Sequence, residues 1–279
     1  MERITTVAAM RAYRGVQRVA GRRVGLVPTM GALHRGHLSL VERARADCDA
    51  VVASIYVNPL QFGPNEDFLA YPRDLERDQQ LLRAAGVDVV FVPEEGEIHV
   101  TGHRTRVEVQ GMQDVLCGRS RPGHFRGVTT VVAKLFAIVK PDIACFGEKD
   151  AQQLRIIRRM ARDMHEETTI VSCPTVREDD GLALSSRNAY LTPDERRAAP
   201  VLCRALRSAA ARARSGETDA GRLAALARET ITREPLARID YVETVDGETL
   251  EPVVIAGPGT LLAVAARFGR ARLIDNMTL

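Results

Sequence analysis

Tryptophan is absent from this chain of 279 residues, and aromatic residues make up only 4% of it. Proteins that hold single-stranded nucleic acid stack its bases on aromatic rings, so that class is disfavoured. Charge argues the same way. The 39 basic and 36 acidic residues leave a net +3, far from the surplus of a nucleic-acid footprint. No apolar run approaches the ~18 residues of a membrane helix. The opening MERITTVAAMRAYRG is broken by charges where a signal peptide would be apolar. Five cysteines (Cys48, Cys117, Cys145, Cys173 and Cys203) are odd in number and widely spaced, which points away from a disulfide framework or zinc knuckle and toward buried thiols. The expectation is a cytoplasmic protein that binds neither nucleic acid nor membrane.

Lysine is scarce too. Only three of the 39 basic residues are lysines, Lys134, Lys140 and Lys149. Where arginine is the default cation, each lysine is a candidate for offering phosphate a compact point charge.

Apolar patterning supplies the architecture. The run VGLV at 24–27 is followed by PTMGALHRGH, then by LSLVERARADC with helical spacing, then by β-branched DAVVASIYVN. Helix DLERDQQLLRAAG with Gly86 as its stop, strand VDVVFVP, a helix over 125–139, strand DIACF, helix DAQQLRIIRRMARDM and strand TTIVSCPTV continue the alternation. Alternating strands and helices predict a doubly wound parallel α/β sheet, Rossmann-like, over residues 1–176. After the loop REDDGLALSSRN, two Ala/Arg-rich helices and the runs RIDYVETV, GTLLAVAARF and ARLIDNM predict a smaller α+β C-terminal domain over 177–279. The stretch ALRSAAARARSGE reads as a solvated helix.

Neither G-x-G-x-x-G after a strand nor a Walker loop occurs, which disfavours ordinary dehydrogenases and P-loop ATPases. Instead, three junctions carry anion chemistry. His34-Arg35-Gly36-His37 opens a helix, where free amides attract phosphate and two imidazoles can face one ligand; the competing reading is a pair of surface histidines at a cap. Gly147-Glu148-Lys149-Asp150 follows DIACF at the strand edge where open α/β sheets bind ligands, with Asp150 either accepting from a ribose or capping the next helix. Leu184-Ser185-Ser186-Arg187 offers two hydroxyls and a guanidinium to a reacting triphosphate, or is a polar linker.

HRGH and LSSRN look like the HIGH and KMSKS signatures of class I aminoacyl-tRNA synthetases and related nucleotidyltransferases. More specifically, PTMGALHRGHLSLV, SIYVNPLQF, YPRD, RPGHFRGV, FGEKDAQQL and PTVREDDGLALSSRNAYL together resemble the pantothenate synthetase (pantoate–β-alanine ligase) family. The resemblance implies ATP-dependent condensation of pantoate with β-alanine through a pantoyl-adenylate, with Mg2+, releasing AMP and pyrophosphate. It implies that Met30, Gly31, Ala32, Leu33, His34, Arg35, Gly36 and His37 line the ATP site, with His37 as proton donor. Gly147, Glu148, Lys149, Asp150, Val176, Leu184, Ser185, Ser186 and Arg187 would complete it. Gln61 and Gln153 would hold pantoate, their amide nitrogens donating and their carbonyls accepting, against a bland reading as surface polarity. Ala151 and Ala137 depart from the family's usual aromatic and Asn, outside the motifs. Arg121 and His124 are expected to order a loop near the site. Asp78 is a weak Mg2+ candidate that otherwise reads as a solvated helix residue. A homodimer is expected. The alternatives are a nucleotidyltransferase acting on a phosphorylated acceptor, and a non-enzymatic nucleotide- or tRNA-binding module.

Overall fold

A computed structural model of the chain describes residues 1–64 and 66–279. The β-branched runs do what burial on two faces requires. Strands β1 (Glu2–Ile4), β2 (Val24–Thr29), β3 (Ala50–Ile55), β4 (Val89–Phe91), β5 (Ile143–Gly147) and β6 (Thr169–Cys173) form one sheet in the order β1-β4-β3-β2-β5-β6, with every pairing parallel. In β3, Ala50 and Val52 point into one apolar cluster while Val51, Ala53 and Ile55 point into another. Side chains alternate across a strand, so such a run must be covered twice.

Helices α1 (Val7–Val19), α6 (His124–Val139) and α7 (Ala151–Asp163) supply the first cover, and α2 (Arg35–Asp47) and α3 (Leu75–Ala84) the second; short α4 (Glu95–Ile98) and α5 (Cys117–Ser120) lie in the connections. The chain runs outward from β2 to β4, then returns to lay β5 against the other side of β2. That reversal opens a crevice beyond the carboxyl ends of β2 and β5, the place where such sheets bind ligands. HRGH follows one of these strands and GEKD ends the other.

Beyond β6 come α8 (Pro193–Ala198), α9 (Val201–Arg214), α10 (Ala220–Thr232) and an antiparallel sheet of β7 (Arg238–Val245), β8 (Leu261–Phe268) and β9 (Ala271–Thr278). One face of β8 (Leu262, Val264, Ala266, Phe268) lies under the Ala-rich face of α9, while the other (Leu261, Ala263, Ala265) joins the core of the parallel sheet. The solvated-helix expectation for ALRSAAARARSGE therefore needs correction: Ala205, Leu206, Ala209 and Ala210 are fully buried, and only the arginine side faces water. The main sheet also carries β1, which has too few residues to show a period. Helix α1 before β2 is equally hard to see, because it buries Met10 and Gln17 while leaving Val16 and Val19 65% and 92% exposed.

Candidate active site

The loop leaving β2 is held from beneath. The Asp78 carboxylate on α3 accepts the backbone N–H groups of Ala32 and Leu33, both at 2.8 Å. Only 1% of Asp78 is exposed, and burial pushes its carboxyl above the ordinary value despite both donors. This corrects both expectations for Asp78, which is neither solvated nor open to Mg2+. The clamp sustains a turn in which Ala32 adopts φ 51°, the left-handed region that costs a residue with a Cβ. It also uses up the amides of Ala32 and Leu33. The Leu33 side chain lies in the core, Gly31 packs toward Asp78, the Arg35 guanidinium pairs outward with Glu178 at 3.0 Å, and Glu148 is engaged through its carbonyl by Asn276. These five residues, expected at the nucleotide, do not line the crevice, whereas Met30, His34, Gly36 and His37 do.

The two histidines are caps and cleft residues at once. His34 Nδ1 accepts from the Gly36 N–H at 3.1 Å, and His37 Nδ1 accepts from the His34 N–H at 3.3 Å. A nitrogen that accepts from an amide carries no proton, so in each neutral ring the proton sits on Nε2. Burial, reinforced by the Lys149 charge, lowers His34 to about 4. Burial, then the charges of His34 and Lys149, lowers His37 to about 3. The ring centroids are 4.1 Å apart. The pair therefore presents two neutral N–H donors to the cleft.

Across the crevice, Lys149 follows β5 with its ammonium 3.9 Å from the Asp150 carboxylate. Asp150 makes no cap hydrogen bond to α7, so its capping alternative fails. Beyond β6 the chain doubles back: Leu184 N–H donates to Val176 C=O at 3.0 Å, returning LSSRN to the same wall. The Ser185 hydroxyl accepts from the Arg187 N–H at 3.3 Å, and the Arg187 guanidinium meets Asp67 at 3.0 Å. Of the three lysines, only Lys149 lines the cleft.

Behind these groups lies a mixed pocket. Gln61 is only 8% exposed, which rules out its reading as surface polarity. Its carbonyl accepts from Asn58 Nδ2 at 3.1 Å, and its Nε2 lies 2.8 Å from Met30 Sδ. Val128, Val131, Val132 and Leu135 of α6 and the ring of Tyr56 add an apolar wall, and Gln153 of α7 closes the pocket. Helix α6 comes this close because Gly127 has no side chain; a Cβ there would collide with the Leu60 carbonyl. Arg121 and His124 order the adjacent loop. The Arg121 guanidinium grips Glu66 at 2.6 Å, and its Nη1 donates to His124 Nε2 at 3.0 Å, which leaves His124 Nδ1–H to donate to Gln61 C=O at 2.8 Å. Burial, then the Arg121 charge, pushes His124 down to about 3.

A second chamber of about 300 Å³ adjoins the first, of about 230 Å³, and shares Lys149, Asp150, Gln153, Ser185 and Arg187 with it. Its far wall, formed by Tyr241, Arg267, Arg270 and Arg272, escaped sequence reasoning, although the three arginines of RFGRAR around the β8–β9 hairpin were the available signal. The apolar wall of α6 escaped it too, since VTTVVAKL reads as ordinary core. Among the described residues, no group of three or more His, Cys, Asp or Glu could hold a metal ion.

The family model for pantoate-beta-alanine ligase matches residues 2–278. The chain belongs to this family. It is 55% identical to the pantothenate synthetase of Heliobacterium modesticaldum over 279 residues, covering 100% of this chain and 99% of that one. The crystal structure of pantothenate synthetase from Thermus thermophilus superposes with a TM-score of 0.94 at 51% identity, covering 99% of both chains. The pantoate-beta-alanine ligase of Francisella tularensis, solved with beta-gamma ATP and beta-alanine, gives a TM-score of 0.82 at 35% identity over 100% of this chain and 97% of that one. Among the described residues, no helix is long and apolar enough to cross a membrane.

Proposed function

We propose that this chain joins pantoate to β-alanine at the expense of ATP, in two steps. A pantoate carboxylate oxygen attacks the α-phosphorus, the bond to the β-phosphate bridging oxygen breaks, and pyrophosphate leaves. The amine nitrogen of β-alanine then attacks the acyl carbon, the bond to the AMP oxygen breaks with its electron pair leaving on AMP, and one proton is lost from nitrogen. The observation that carries this reading is the convergence, in one crevice, of phosphate donors with a pocket for a branched hydroxy acid. The Nε2–H groups of His34 and His37, the Lys149 ammonium, the Ser185 and Ser186 hydroxyls and the Arg187 guanidinium are the donors. They suit a transition state whose negative charge grows on phosphate oxygens. His37 acts here as a neutral donor, since burial holds its proton affinity too low for an imidazolium.

Gly147, Asp150, Val176 and Leu184 complete the nucleotide's surroundings in this reading, with Gln61 and Gln153 facing pantoate beside the apolar wall of α6. Residues 1–176 then bind both first-step substrates, and residues 177–279 bring the SSRN loop over them. With no three-ligand cluster among its described residues, the chain would receive Mg2+ on the triphosphate, because Mg2+ keeps several waters and leans on phosphate oxygens. No step above runs through it. Homodimerisation extends the proposal on the family resemblance, and residence in the cytoplasm on the odd, widely spaced cysteines, which suit a reducing compartment.

Exchange of labelled pyrophosphate into ATP tests the order of steps. Pantoate alone should support it, without β-alanine. Exchange that is silent with pantoate, or that needs a phosphorylated acceptor, would favour the nucleotidyltransferase alternative.

A further inference from the structure

A second lysine sits behind the acid pocket. Lys134 on α6 donates from Nζ to Ile98 C=O at 2.6 Å and to His99 Nδ1 at 3.2 Å. An ammonium has only donors, so His99 Nδ1 must be the accepting nitrogen and the ring proton must be on Nε2. That Nε2–H lies 3.0 Å from Asn58 Oδ1. With its oxygen so engaged, Asn58 turns its Nδ2 to Gln61 Oε1 and to Gly127 C=O, both at 3.1 Å. The Gly127 carbonyl can only accept, so the far end of the chain demands the same polarity as the lysine end. Asn58, at the centre of the chain, is 1% exposed, which denies it water as a substitute partner, and His99 and Gln61 are each 8% exposed. One lone pair of the Gln61 carbonyl is thereby engaged, and the orientation of the amide is set. Its Nε2 is left against the Met30 sulfur, a weak acceptor that a substrate oxygen can displace.

We propose that Lys134, acting through His99 and Asn58, is a positioning residue that orients the Gln61 amide with its Nε2–H groups toward the acid substrate, so that this corner of the pocket offers a donor to an acceptor oxygen of that substrate. The inference rests on the reading that Gln61 faces pantoate. It revises the expectation that the glutamine carbonyl accepts from substrate. It also accounts for a lysine that the phosphate chemistry does not use. Burial, then the Lys134 charge and those of His103 and Arg106, lowers His99 to about 4, which keeps the ring neutral and its Nδ1 lone pair available.

Lys134→Met preserves length and removes the donors. Without them His99 can rotate or exchange tautomers, and the Asn58–Gln61 pair loses one anchor of its orientation, keeping Gly127 C=O at 3.1 Å and the Leu60 N–H that donates to Asn58 Oδ1 at 3.4 Å. In pantoate-dependent pyrophosphate exchange, KM for pantoate should rise about tenfold, the value of one buried hydrogen bond, while KM for ATP changes less than about twofold. Lys134→Arg, which also offers only donors, should recover most of the loss. Equal rises in both KM values, or no rise, would overturn the proposal, as would an Arg variant no better than Met. Nitrogen-15 NMR of His99 in the unliganded wild-type protein gives a reading independent of variant folding. It should show a bare Nδ1 and a protonated Nε2 at neutral pH, and the reverse tautomer would sink the proposal. If wild-type protein shows no pantoate-dependent exchange, the functional reading fails, and the tautomer still decides whether the donor chain exists.

Discussion

Gly36→Ala separates the folding role of HRGH from its catalytic one. An added Cβ at Gly36 would lie 2.9 Å from both Cε1 and Nδ1 of His34, closer than real contacts allow, so the imidazole must swing away from the Gly36 N–H it now accepts. Losing that cap costs about 1 kcal/mol. Replacing glycine by alanine in the first turn of α2 returns up to about 1 kcal/mol, because alanine loses less backbone freedom on folding. Thermal unfolding should therefore move little. Activity should not be spared. The His34 ring carries its proton on Nε2 only because Nδ1 accepts from that amide, and a displaced ring points this donor elsewhere. Removal of one donor to developing negative charge costs about 10² to 10³ in rate; a displaced donor should cost about 10 to 10². Pantoate-dependent exchange with a parallel melting curve measures both quantities on one sample. Full exchange activity at unchanged stability would refute the claim that the capped geometry of His34 serves the phosphate.

Lys149→Ala should melt like wild type yet slow adenylation by about 10² to 10³, and turnover at the wild-type rate would remove Lys149 from the site. Asp78→Asn sets an amide nitrogen against the N–H of Ala32 or Leu33, and should cost about 1 to 3 kcal/mol together with a raised KM for ATP; an unchanged melting temperature would show that the clamp contributes nothing. The buried imidazoles predict a sign for pH. His34, His37 and His124 fall from 6.5 to about 4, 3 and 3, so the unfolded chain binds protons that the folded one refuses. Stability from these groups is present above pH 6.5 and is lost as pH falls toward 4 and below. Differential scanning calorimetry without ATP should show that decline, and a flat profile would contradict the burial argument.

What the sequence reveals and conceals follows from contact range. The strands β2, β3 and β5 are legible because a run buried on both faces must be continuously apolar, and the two junctions that follow β2 and β5 sit at the switch point by topology. The role of Asp78 is not legible, because on its own helix it looks like any charged residue in a first turn, and its amide partners lie in a loop 45 and 46 residues away. The same holds for Gln61. The spacing of NPLQF marks a polar residue but cannot say which end of its amide is free, since that depends on Asn58, His99 and Lys134 from separate elements. The arginines of the second chamber belong to a hairpin whose apolar pattern declares only a sheet, and their approach to Lys149 depends on how β8 and β9 dock.

The scarcity of lysine acquires a physical meaning when the cleft's cations are compared. The guanidiniums of Arg121, Arg187 and Arg272 sit 2.6, 3.0 and 2.6 Å from the carboxylates of Glu66, Asp67 and Asp240. Their planar forks find carboxylates readily, and each arrives already neutralised. Such pairing lets charge lie in a partly dry crevice without the cost of an isolated ion. It also means that a triphosphate must compete for those guanidiniums. Lys149 is different: its single ammonium stays 3.9 Å from Asp150, a contact too long for a hydrogen bond, and so its donors remain free for phosphate. An arginine at this position could reach Asp150 with two parallel N–H groups and spend on the protein what the substrate needs. Lys149→Arg should therefore rescue adenylation poorly although it keeps the charge. Lys134 answers a different need, since between Ile98 C=O and His99 Nδ1 any group with donors alone can serve. Lys140 does neither; it ends α6 in the left-handed region at φ 45°, away from the cleft. Lys149 thus stands where the geometry uses a point charge, Lys134 where it uses donors, and Lys140 where the chain merely turns.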